Sequence, residues 1–257
     1  MGRLAGGNHA RTHLIRTRRP ARDLVLRRFP PGDDAAVREA GVLAALDGLD
    51  GLAPRLVDAD PTGRRFGEPA VLITRLPGRA DLTTVDPDVL AERLGQVLAR
   101  IHAVPLTRLA EPRDGVAAAA TSGPGADRRL AAQPAVLTHY DFWSGNVLWQ
   151  HDTLTGVVDW SGACRAPRGF DVSWCRLDLV LLHGPAVADR FLHAYEHAAG
   201  VTVPDLPLWD LFACTNSHPT VETWLPNYHD LGRRDLTAAL LRQRHTGWAH
   251  ERVGAGT

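Results

Sequence analysis

The rhythm of apolar and polar positions changes near residue 77. Before it, short β-favouring runs at His13–Thr17 and Leu24–Phe29 flank the turn-forming Arg19-Pro20-Ala21-Arg22. A second pair, Arg55–Ala59 and Ala70–Leu76, flanks Asp60-Pro61-Thr62-Gly63. Between the pairs, Asp33 and Asp34 are placed to cap a helix through Leu46, with Val37, Ala40 and Ala44 at helical spacing. Pro77-Gly78 closes this strand-rich block. Beyond it the pattern turns helical. Asp86-Pro87-Asp88 is a capped start, followed by the stripe Leu90, Leu94, Val97, Leu98 and Ile101. Residues 110–135, rich in Ala, Gly and Pro, predict a connection without a clear element. Val147–Trp149 and Gly156–Trp160 predict a hairpin about residues 151–155, and helices follow over Ala186–Ala199 and Asp235–His245, stopped near Gly200 and Gly247. Strands first and helices later predict an α+β fold with a small β-rich N-terminal lobe, 1–76, and a larger, mainly helical lobe, 77–257.

Composition narrows the function classes. Twenty-nine basic and 29 acidic residues cancel, so neither nucleic acid nor an anionic membrane has a net positive surface to grip. No apolar run approaches the roughly 18 residues of a membrane helix. With only three cysteines, Cys164, Cys175 and Cys214, a reducing compartment is expected. The expectation is a soluble cytoplasmic protein. Cys164 reads as a packed thiol, and Trp143, Trp149, Trp160 and Trp174 as core. Every basic residue is Arg; the chain has no Lys.

The chemistry concentrates in Leu137–Trp149. Here His139, Asp141 and Asn146 form His-x-Asp-x-x-x-x-Asn, and Asp159 follows Asn146 by 13 residues, behind Val157-Val158. Phosphoryl transfer from a nucleotide needs these types: one carboxylate at the acceptor hydroxyl and two oxygen ligands for Mg²⁺. A loop followed by a tight hairpin can bring Asp141, Asn146 and Asp159 together. His139, two residues before Asp141, is placed to orient the catalytic loop.

These motifs resemble the aminoglycoside phosphotransferase and choline kinase-like group, which shares the two-lobed protein-kinase-like fold. The resemblance implies an ATP- and Mg²⁺-dependent transfer to a small-molecule hydroxyl. Asp141 would be the catalytic carboxylate, with Asn146 and Asp159 as metal ligands. Gly6 and Gly7 would lie in a loop over the nucleotide, and the five residues before Gly6 predict a short first strand. Leu24–Arg28 resembles the phosphate-binding strand, with Arg27, or Arg28 if the register shifts by one, in place of the usual Lys. Glu39 would brace that Arg. Ile73–Gly78, with Thr74 and Leu76, resembles the hinge beside adenine, and Phe170–Trp174 resembles the segment after the metal-binding Asp. The Trp143–Asn146 run also resembles fructosamine-type kinases. A catalytically dead nucleotide-binding module is a further alternative. Finally, Val201–Gly232 carries Asp205, Asp210, Glu222 and Asp230 without an Arg, along with Trp209, Phe212, Trp224 and Tyr228. That balance points to a cationic, aminoglycoside-like acceptor, with Asp205, Glu222, Asp230 and Trp224 as its contacts.

Overall fold

A computed structural model describes residues 2–3, 10–110, 112–115 and 128–255. Gly6 and Gly7, and most of the Ala/Gly/Pro-rich connection, lie outside the described residues. A mixed α+β architecture emerges, strand-rich first and helical afterwards. Strands β1 (Gly2–Arg3), β2 (Arg11–Arg18), β3 (Ala21–Arg28), β4 (Leu56–Asp60) and β5 (Ala70–Thr74) form one antiparallel sheet in the order β1-β2-β3-β5-β4. Its centre is β3, where Arg27 lies opposite Thr12 on one side and Val71 on the other.

Helix α1 (Ala35–Leu46) packs on β4 and β5 and reaches the turn at Trp160–Gly162. Its inward face differs from the expected stripe. Ala36, Glu39, Leu43 and Leu46 are buried, whereas Val37 is 55% exposed. The helix is rotated because Glu39 turns inward to meet Arg27, and an ion pair inside a lobe outweighs one valine at its surface.

The second part is built around α2 (Pro87–His102), α4 (Gly169–His183) and α5 (Pro185–Ala199). Asp86 caps α2 through the N–H groups of Asp88 and Val89, and every member of the Leu90–Ile101 stripe is buried. Helices α2 and α5 pack closely at Gly95, where a Cβ would come 2.6 Å from the Tyr195 nitrogen. Helices α6 (Leu206–Ser217), α7 (Leu225–Asp230) and α8 (Ala238–Ala255) complete this part, with a short α3 (Arg128–Ala131) before it. Gly247 does not stop α8. Buried Trp248 and His245 on either side of it anchor the helix, so packing overrides the poor propensity of glycine.

Two small ribbons lie between α3 and α4. Strand β6 (Ala135–Thr138) pairs with β9 (Cys164–Pro167), and β7 (Val147–Gln150) with β8 (Thr153–Val157). They hold the two ends of the site. β6 delivers His139 and Asp141; the turn after β8 delivers Asp159. The hairpin register, Val147 opposite Val157, places Asn146 beside Val158, whose N–H donates to the Asn146 carbonyl at 2.9 Å.

Candidate active site

Arg27, Glu39 and Asp159, from three separate segments of the chain, meet here. Arg27 is 5% exposed at the end of β3. One guanidinium nitrogen donates to Glu39 at 2.5 Å and another to Asp159 at 2.6 Å, and its Nε is buried without a partner. Arg28, one residue on, faces the other way, towards His13 at 3.3 Å and Glu68. Alternation along the strand separates the two arginines. Burial works against the Arg27 charge, but Glu39 and Asp159 outweigh it and raise its pKa. Burial likewise pushes the Glu39 carboxyl up to about 7, against the pull of Arg27. At Asp159 burial also acts upward, but Arg27 overcomes it and the pKa falls below the ordinary carboxylate value.

Asp141 sits on the other side of Asp159. The Asn146 side-chain amide donates both to the Asp141 backbone carbonyl, at 2.9 Å, and to its carboxylate, at 3.0 Å. The nearby Trp174 indole favours the ionised Asp141 carboxylate. Burial, helped by the negative charge of Asp159, raises the Asp141 pKa. Gly145 is obligatory between them: the Trp143 ring occupies the space a Cβ would need.

The loop is held from beneath. His139 is fully buried, and its Nε2 donates to the Val158 carbonyl at 3.0 Å, so that nitrogen carries the ring proton. The imidazole therefore ties the Asp141 loop to the residue before Asp159 and does not face a reactant. Tyr140 follows in the left-handed region (φ 72°), as does Asp159 (φ 67°). Such strain costs about 1–3 kcal/mol per residue and persists where surrounding bonds enforce it. Here Asp171 enforces it, accepting the backbone N–H of His139 at 2.6 Å and of Tyr140 at 2.8 Å. Behind it runs a relay, Arg168 to the Tyr195 hydroxyl (2.9 Å), Tyr195 to His102 Nδ1 (2.7 Å), and His102 Nε2 to Asp171 (3.2 Å). Burial keeps His102 neutral by lowering its pKa, as one donor and one acceptor nitrogen require. Two helical turns further on, Asp178 accepts from the Ser144 N–H (3.0 Å) and hydroxyl (2.6 Å) and from Tyr228 (3.0 Å). Helix α4 thus presents Asp171, Trp174 and Asp178 to the loop at spacings of three and four residues, one helical face.

Several sequence expectations need correction. Trp149 and Trp160 are core, but Trp143 and Trp174 are half-buried and line the site. The Thr74 hydroxyl accepts from the Arg55 N–H at 2.9 Å and its own N–H donates to the Arg55 carbonyl, so that side chain is engaged within the sheet. Leu76 is half-buried and packs over Gly156 on β8. The acidic stretch is not an open anionic floor. Asp205 accepts from Arg129 at 3.0 Å, Asp210 from Arg176 at 3.1 Å, and Glu222 makes a two-point ion pair with Arg242 at 2.5 Å, which holds its carboxyl down at about 2. Their partners come from elsewhere in the chain, where a local charge count could not find them. Asp230 is exposed. Trp224 does reach the site, with its ring 5.3 Å from that of Trp174. Cys164 is a buried packed thiol, and burial pushes its pKa to about 11.

The phosphotransferase enzyme family matches residues 2–212. The chain belongs to that family. A homoserine kinase from Beijerinckia indica is 29% identical, over 56% of this chain and 53% of its own length, so the chain spans about half of that relative. Among solved structures, the fold resembles a macrolide 2'-phosphotransferase from Brachybacterium faecium (TM-score 0.60, 22% identity, 91% of this chain and 89% of that one). It also resembles an aminoglycoside phosphotransferase in ternary complex with ADP and hygromycin B (TM-score 0.62, 18% identity, 99% and 94%). The chain therefore has the kinase-like fold of those enzymes. Among its described residues no helix is long and apolar enough to cross a membrane.

Proposed function

We propose that this phosphotransferase moves the γ-phosphoryl group of ATP, bound with Mg²⁺, to a hydroxyl of a small molecule in the cytoplasm. Residues 1–76 serve as its nucleotide lobe and 77–257 as its acceptor lobe. The observation that carries this reading is the bridge through Arg27. One buried guanidinium holds both Glu39 and Asp159, while Asn146 joins Asp141 to the strand that ends at Asp159. Phosphate cation, oxygen ligands and acceptor carboxylate thereby form one continuous set. The structural neighbour holding ADP supports the choice of nucleotide.

The donor set fits a hard divalent cation. Asp159 offers a carboxylate, and Asn146 commits its amide N–H groups to Asp141, which leaves its carbonyl oxygen as a ligand. Mg²⁺, when bound there, draws negative charge from the phosphate oxygens. Arg27 turns its free Nε and its forked donors on the phosphates, a role in which an always-charged arginine replaces lysine. Asp141 receives the acceptor hydroxyl and takes its proton as the new oxygen–phosphorus bond forms and ADP leaves. The raised pKa of Asp141 suits it to that proton.

Asp141→Asn keeps the size and the Asn146 contact but removes the base. Acceptor-dependent ADP release should fall by about 10²–10⁴, with Mg-ATP binding retained. Undiminished turnover in this variant contradicts the assignment.

A further inference from the structure

Helix α4 is buried along its length except at Trp174 and at its last residue, His183. It reaches the surface, in other words, between Asp171, which holds the N–H groups of His139 and Tyr140, and Asp178, which holds Ser144, and so beside the Asp141 loop. Trp224 arrives from the segment before α7 and meets Trp174 at 5.3 Å with the rings tilted by 58°. Trp143, half-buried on the loop itself, stands edge-on to Tyr228 at 5.9 Å. Three indoles from three elements therefore gather about the loop whose carboxylate receives the acceptor. A hydroxyl within hydrogen-bond reach of Asp141, about 2.6–3.2 Å, brings its neighbouring carbons onto the Trp174 ring.

Most of the acids of residues 201–232 are already matched, and of these acids only exposed Asp230 has no arginine partner among the described residues. A polycationic acceptor needs unpaired carboxylates. Asp205 is held by Arg129, Asp210 by Arg176 and Arg252, and Glu222 by Arg242. Breaking the buried Arg176–Asp210 pair would leave an uncompensated charge. Aromatic faces, by contrast, reward apolar surface and tolerate a single ammonium.

We infer that the acceptor lies against the indoles of Trp174 and Trp224, and that it carries an apolar face beside the reacting hydroxyl and no more than one positive charge. This rests on the phosphotransfer reading above, because Asp141 defines where the hydroxyl sits.

The test is a binding and transfer panel with the full chain in the presence of Mg²⁺. Calorimetry with AMP-PNP bound ranks erythromycin and phenyl β-glucoside, which have apolar faces and at most one amine, against the polycations hygromycin B and kanamycin. Transfer from ATP is measured on the same compounds. One of the first two should bind best. Trp224→Leu should raise the Kd of that compound about tenfold, the scale of a buried aromatic anchor, and leave the Kd of AMP-PNP within about twofold. Glu222→Gln should lower thermal stability while leaving acceptor Kd unchanged. A polycation ranking first, no compound binding, or a Trp224→Leu protein with unaltered acceptor affinity overturns the inference. Ranked binding without any transfer, in wild type and Asp141→Asn alike, would instead refute the phosphotransfer reading and leave the acceptor surface standing.

Discussion

Arg27 holds two carboxylates on one guanidinium, and the arrangement has a pH signature. The pKa of Glu39 is raised by burial, from 4.5 to about 7. A carboxyl raised in the folded state binds its proton more tightly there than in the unfolded chain. Its contribution to stability is full below pH 4.5 and is lost as pH rises through about 7. Between pH 5 and pH 8 the unfolding temperature of wild type should therefore change unfavourably relative to that of Glu39→Gln, which is neutral throughout. Asp141 and Asp178, raised by burial, and His102, His183 and His245, lowered by burial with the opposite slope, contribute equally to both proteins, so the difference isolates Glu39. Parallel slopes in circular-dichroism melts would contradict the account. At this scale much of the site was legible. Asp141, Asn146 and Asp159 lie close in sequence, and strand alternation alone separates Arg27 from Arg28. The locking of Thr74 by Arg55 was not legible, because it depends on which strand becomes the neighbour of β5.

Among the elements, α2 could be read directly from its amphipathic stripe, and the β7–β8 hairpin in existence but not in bounds, since its second strand runs Thr153–Val157 and not Gly156–Trp160 and its turn is correspondingly tighter. Helix α4 could not. It is buried on nearly every side, so its apolar residues show no favoured face, and two buried carboxylates that look incompatible with burial, Asp171 and Asp178, are its working surface. Those positions clamp the catalytic loop, with Asp178 anchoring Ser144 two residues before Asn146. Asp178→Asn should remove one strong acceptor from that clamp at a cost of about 1–3 kcal/mol. It should lower kcat through misplacement of Asn146 and Asp141, with the KM for ATP within about twofold. Steady-state kinetics and a melt together check this; a lower unfolding temperature with unchanged kcat would make Asp178 a stability residue alone. Helix α1 shows the opposite lesson. Its existence was evident, but its orientation was set by one buried Glu that hydrophobic spacing ignores.

For the molecule as a whole, the zero net charge conceals a dense pairing of arginines with acids drawn from distant segments. Arg129, Arg176, Arg242 and Arg252 pair with three of the four acids of residues 201–232, all but exposed Asp230, so a stretch that is anionic in sequence is largely balanced in space. The acceptor class therefore had to come from the structure, whereas the order of strands and helices came from the pattern along the chain. The two parts of the chain join at the Arg27–Asp159 contact, a link of 2.6 Å across 132 residues. The central claim is that this contact marks the nucleotide and metal site. Titration of AMP-PNP with Mg²⁺ into wild type, Arg27→Ala, Arg28→Ala and Asp159→Ala tests it most directly. The account predicts nucleotide affinity lost in Asp159→Ala, reduced at least about tenfold in Arg27→Ala, the scale of one strong charge-assisted contact, and preserved in Arg28→Ala. Equal losses from the two arginines, or full Mg²⁺-dependent binding in Asp159→Ala, would contradict it.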